Sequence, residues 1–265
     1  RIGRPVARGT RLGVEIDIDP ESPTIYTEVR DVSTPKARYT NLIYRIHFPE
    51  VPFRLIPFRL TAGENVGILV IVTVDGDNRP VLVTTAGTCG CYAAVVPTDA
   101  LDPSAWPDGW DPAGFELYGE ELPGMLRTEG MAAPRVVVHL RPEVHRVMDL
   151  TVVDAADGMN FSDVPRRRAD LVPMSALDAL SHEDGTVSLF HDTWPLTGFV
   201  KGAFKPWETL LLGPISLDPF VGMDKRYTDT EETGSPFYTS LKPWNRRASD
   251  LWHFQRFLRF WGWKL

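Results

Sequence analysis

Val66-Gly67-Ile68-Leu69-Val70-Ile71-Val72-Thr73-Val74 is the longest apolar run in the chain, and Asp75-Gly76-Asp77-Asn78-Arg79-Pro80 follows it. Side chains branched at Cβ dominate the run. They pack well on a pleated surface and lose rotamer freedom in a helix, so the run reads as a buried strand. The acids, glycine, asparagine and proline after it are turn formers, so the chain reverses into a second strand over 80–86 and a hairpin results.

The same period recurs on both sides. Val14, Ile16 and Ile18 alternate with Glu15, Asp17 and Asp19, the pattern of a strand buried on one face. Further strands are expected over 24–30, 40–48, 91–96, 134–140, 145–153 and 186–190. The chain has 23 prolines, which interrupt helices and sheet ladders, so the elements should be short. Together these features predict a mainly β fold, a sandwich or irregular barrel, with long Pro- and Gly-rich loops and one C-terminal α-helix.

Three segments depart from the strand pattern. Residues 1–12 carry Arg1, Arg4, Arg8 and Arg11 without an acid and read as an extended basic arm ahead of a single domain over 13–265. Residues 97–133 read as an acidic surface excursion held by Trp106 and Trp110; loops of that length inside a domain are uncommon and often functional. A short helix is expected over 174–182. The aromatic helix is expected over 249–265, with Ser249 and Asp250 at its start and Leu251, Phe254, Phe257, Leu258, Trp261 and Leu265 on one face.

Net charge is −7 over 265 residues, which disfavours nucleic acid as a partner because such binding neutralises phosphates. The charge is segregated: residues 235–265 carry +5, leaving −12 for the rest. No run reaches the roughly 18 to 20 apolar residues of a transmembrane span. Opening on Arg1, the chain reads as following a processed segment, which favours an extracytoplasmic, periplasmic location.

Two candidate sites emerge. Cys89-Gly90-Cys91, the only cysteines, follow a run of small residues in which Gly87 and Gly90 allow a sharp turn. Two thiolates one residue apart suit a soft ion, zinc or copper(I), or a redox dithiol, with His139 and His145 as candidate further ligands. On the terminal helix, Trp252, Arg256, Arg259 and Trp263 fall opposite the main apolar face and form a candidate docking surface for a protein partner or a membrane surface. The basic tail packing against the acidic excursion is the intramolecular alternative.

Catalytic residues are not identified. There is no Gly-rich phosphate loop, dinucleotide fingerprint, nucleophile elbow or His-Glu-x-x-His motif. A cysteine nucleophile is disfavoured because Ala93-Ala94-Val95-Val96 after Cys91 reads as strand, not as the helix that would activate a thiol. The acid-rich stretches 154–160 and 228–234 read as solvated turns. On this reading the chain is a non-catalytic binding or accessory protein, possibly a subunit of a larger assembly; the alternative is a metal or thiol-redox protein centred on Cys89 and Cys91.

Overall fold

A computed structural model describes residues 1–11, 13–157 and 166–265. In chain order its first strands are β1 (Arg4–Thr10), β2 (Gly13–Asp19), β3 (Thr24–Ser33), β4 (Arg38–Val51) and β5 (Gly63–Val74). Next come β6 (Pro80–Gly87), β7 (Ala94–Pro97), β8 (Phe115–Leu117), β9 (Glu120–Leu122) and β10 (Pro134–Leu140). The last strands are β11 (Val147–Asp154), β12 (Asp170–Pro173), β13 (Leu180–His182) and β14 (Gly185–Val187). The α-helices are α1 (Pro206–Ser216), α2 (Thr230–Thr233) and α3 (Phe254–Phe260).

The Val66–Val74 run lies in β5, near the middle of a six-stranded sheet of order β12-β3-β4-β5-β6-β7. All neighbours are antiparallel except β12, which runs parallel to β3. The sheet stays open, with β12 and β7 as its edges, so the fold is layered and mainly β, not a closed barrel. In the β4–β5 register Ile43 faces Ile71 and Ile46 faces Ile68.

Because side chains alternate across a strand, the sheet buries two faces. Ile43, Leu69, Ile71 and Leu82 pack on one side against Phe237, Leu251, Phe254, Phe257, Leu258 and Trp263. Ile68, Val70, Val83 and Val96 pack on the other, against Leu126, Leu150 and the β10–β11 hairpin. A third cluster joins Ile16 and Tyr26 to Leu177, Leu180, Leu189 and Phe190.

Several segments differ from the expectation. The basic arm is itself a strand: β1 pairs with β2, and Arg4 and Arg8 reach Asp170 and Asp17. The helix expected over 174–182 is a single 3-10 turn, Met174–Asp178, after which β13 pairs with β14 around Gly185 (φ +135°). The terminal helix is confined to Phe254–Phe260. Asp250 Oδ1 accepts from the backbone N–H groups of Phe237 (3.1 Å) and Trp252 (3.1 Å), which ties residues 249–252 to a neighbouring segment. Gly262 (φ +88°) then ends the helix. The acidic stretch 154–160 runs partly outside the described residues.

The excursion and the tail meet, as the intramolecular reading requires. Trp110 lies 5.1 Å from Trp263 ring to ring, Lys264 N donates to Ala105 O at 2.8 Å, and Lys264 Nζ pairs with Asp108.

Candidate metal centre

β6 ends at Gly87, and the chain then turns through Thr88-Cys89-Gly90-Cys91. Two backbone bonds tighten the turn: Gly90 N donates to Gly87 O at 2.8 Å and Gly87 N to Cys91 O at 2.8 Å. Gly90 adopts φ +94°, and a Cβ placed there would stand 2.0 Å from Tyr238 O. Only glycine fits, so the Cys-Gly-Cys spacing follows from a left-handed residue pressed against a neighbouring backbone.

Helix α1 supplies the third donor. Pro206 opens it and Glu208, on its buried side, is 2% exposed. Cys91 Sγ donates to Glu208 Oε1 at 3.2 Å, and Cys91 N donates to Cys89 Sγ at 3.4 Å. One donor atom from each of Cys89, Cys91 and Glu208 lies within 4.8 Å of the others, and among the described residues they are the only such group. Glu208 Oε2 is buried without a hydrogen-bond partner. Opposite it stands Gly222, where a Cβ would come 2.7 Å from that oxygen.

Two buried lysines flank the group. Lys205 Nζ donates to Asp224 Oδ1 at 3.0 Å, and Lys225 Nζ donates to Cys89 O at 2.7 Å and sits 4.2 Å above the Tyr238 ring. Asp224 Oδ2 is buried and unpartnered. Beneath them Arg45 is fully buried; its Nε donates to His47 Nε2 at 3.0 Å and its Nη1 to Lys225 O at 2.7 Å.

The electrostatics split the thiols. Interaction with the Cys91 side chain holds the Cys89 thiol below its ordinary range; burial opposes this and the Lys205 charge assists. Cys91 is pushed well above the thiol range by the same side-chain interaction, by burial and by the charge on Cys89. Cys89 is therefore the more acidic of the two thiols. Burial works against the charge on Lys205, yet Asp224, Cys89 and Glu208 outweigh it and raise its pKa. Burial lowers Lys225.

The histidines expected as ligands are engaged elsewhere. His139 Nε2 lies 2.9 Å from Thr151 Oγ1. His145 stacks on Phe48 at 4.1 Å and meets Glu50 O at 3.0 Å. It lines, with Cys89, Tyr92 and Lys205, a cavity of about 40 Å³ beside the thiols, but is not in the donor group. A larger groove of about 580 Å³ between the sheet and β10–β11 is walled mainly by aliphatic side chains such as Leu42, Val72 and Val136. Size alone would make that groove the default site. The smaller cavity is the one that borders the thiol turn, through Cys89 and Lys205.

The terminal residues are also placed. Trp263 is buried at 4% exposure. Trp252 is half-buried: Arg30 lies 3.3 Å from its ring centre and its Nε1 donates to Asp229 Oδ2 at 3.2 Å. Arg256 and Arg259 are exposed. The two tryptophans are thus occupied within the fold.

Glu208 and Asp224 carry no local sequence signal, and Lys205 is marked only by the tripeptide Lys205-Pro206-Trp207, which recurs at 242–244. Compared with family models, characterised proteins and solved structures, the chain matches none, so the functional reading rests on this geometry.

Proposed function

We propose that the protein binds a zinc ion through Cys89, Cys91 and Glu208. The observation that carries this reading is the convergence of two sulfurs and a carboxylate oxygen within 4.8 Å, with the second carboxylate oxygen buried and unpartnered. A buried, unsatisfied carboxylate oxygen needs a partner, and a cation is the strongest it can find. The mixed sulfur and oxygen set favours zinc over copper(I), which prefers sulfur alone.

Charge balance supports it. Lys205 and Lys225 already offset Glu208 and Asp224, so a divalent ion held by two thiolates leaves the pocket neutral. Three protein donors also leave a fourth zinc position for water or a small ligand, which fits a binding role and is the precondition for hydrolytic chemistry.

Metal content by mass spectrometry, on protein purified under reducing conditions with zinc supplied, tests this. About one zinc per chain is expected, as for a single site of this kind, with little in Cys89→Ser, Cys91→Ser or Glu208→Gln. Near-zero metal in the unsubstituted protein overturns it. If that protein instead loses two hydrogens on air oxidation, the pair is a redox dithiol.

A further inference from the structure

The tripeptide Lys-Pro-Trp occurs twice, and its two copies end differently. In the first, Lys205 is buried beside Asp224 and Trp207 packs on Phe53 and Phe58. In the second, Lys242 is exposed and Trp244 is 79% exposed, with no ring or hydrogen-bond partner among the described residues. An indole is ordinarily well covered, so one left in water points to an occupant. Contacts place further exposed side chains beside it. Pro243–Asn245 form a 3-10 turn and Ser249 N donates to Asn245 O at 2.8 Å, so Arg247 falls one turn after Trp244 on the same side. Arg256 Nη1 donates to Arg247 O at 3.4 Å, and Arg259 follows one turn along α3. On the other flank Arg246 Nη2 donates to Ser216 O, which brings Leu217 (74% exposed) next to the turn.

Charge selects the occupant. Arg246 stands 3.6 Å from Asp218, which offsets it. Lys242, Arg247, Arg256 and Arg259 are exposed and have no carboxylate partner among the described residues. Asp250, the sole acid of residues 235–265, is 1% exposed, and both its oxygens accept hydrogen bonds. At the flanks, Asp229 accepts from the Trp252 indole, Lys264 pairs with Asp108, and the Lys36 charge acts on Asp102. With these flanks included, seven cations (Lys36, Lys242, Arg246, Arg247, Arg256, Arg259 and Lys264) face four acids (Asp102, Asp108, Asp218 and Asp229), an excess of three positive charges. The ligand is therefore anionic. It is also short, because residues 1–234 carry −12 and repel a long polyanion or a charged bilayer that runs past the patch.

We infer that this face binds an acidic segment of a partner protein that carries an apolar side chain among its carboxylates. Trp244 and Leu217 cover the apolar side chain, while Lys242, Arg247 and Arg256 meet the carboxylates. Tryptophan and arginine are the residues that carry most energy at protein interfaces, and a surface of one sign steers a partner of the other. The inference is independent of zinc, because none of these side chains belongs to the donor group.

Fluorescence anisotropy of a dye-labelled peptide of alternating glutamate and leucine, titrated with the full chain, tests it. The peptide should bind, less so in high salt, and a counterpart with lysine for glutamate should not. Trp244→Ala should weaken binding by about tenfold, and Arg247→Glu with Arg256→Glu by about thirtyfold, with unchanged circular dichroism spectra. A glutamate peptide with serine for leucine should bind about tenfold more weakly, and Trp244→Ala should weaken it no further, since the contact is already gone. Absence of binding at low salt, or binding unaffected by both variants, overturns the inference. So does a single-stranded oligonucleotide that binds more tightly than the peptide and is lost in the same variants, which assigns the face to nucleic acid. A dimer in sedimentation that Trp244→Ala converts to monomer, without peptide binding, overturns it in favour of a second copy.

Discussion

Lys205 Nζ lies 3.0 Å from Asp224 Oδ1, with the lysine side chain 5% exposed and the aspartate 1%. Both charges have left water, and their mutual attraction compensates for that loss. Removing one partner strands the other. Asp224→Ala should therefore cost about 3 to 5 kcal/mol in chemical denaturation, and the paired change Lys205→Met with Asp224→Leu should recover most of it. A loss below about 1 kcal/mol for Asp224→Ala would mean that water reaches the pair.

Trp263 decides what the aromatic tail does. It packs on Trp110 and belongs to the cluster that covers the sheet beside Leu251 and Phe257. Trp263→Ala should destabilise the fold by about 3 to 5 kcal/mol. Arg256→Ala and Arg259→Ala, at exposed positions, should stay within about 0.5 kcal/mol. Equal, small effects at all three would return the tail to the role of a contact surface.

The sheet was legible because burial on two faces leaves a period-two record, and β5 with β6 and the turn at 75–79 is where that record is densest. Helix α1 was not legible, for a physical reason. Leu210, Leu211 and Ile215 are exposed while the polar Glu208 and Ser216 are buried, so the usual apolar-in period is inverted, and Pro214 reads as a breaker. The terminal helix is shorter than its sequence implies because Asp250 resembles a cap in sequence, while in space it holds the backbone of Phe237. At the site, Gly90 announced the turn. Glu208 lies 117 residues beyond Cys91, and no local pattern links residues joined only by packing.

Zinc uptake should release a proton near neutral pH. Cys89 is held below the ordinary thiol range and Cys91 well above it, so Cys91 at least must give up its hydrogen when the ion binds. Apparent affinity should then rise by about tenfold or more per pH unit between pH ~6 and ~8, at least one proton being displaced per ion. Calorimetry in two buffers of different ionisation enthalpy counts the protons released. A count of zero would mean that both sulfurs are already ionised.

His47 should make the fold sensitive to mild acid. Its ring is fully buried, burial is the main cause of a pKa well below the ordinary value, and the Arg45 charge beside it adds to the effect. Arg45 Nε donates to His47 Nε2, so that nitrogen is the acceptor and the ring is neutral in the folded state. The unfolded chain takes up a proton near pH ~6.5 and the folded one does not. Stability is therefore complete above that pH and falls as the pH drops through it toward the folded value, by at most about 1.4 kcal/mol per unit. His47→Gln keeps an acceptor for Arg45 and cannot titrate, so its stability should run flatter than that of the unsubstituted protein between pH ~6.5 and ~5. Parallel curves over that window would show that His47 is protonated as readily folded as unfolded, and that water or an acid reaches the ring.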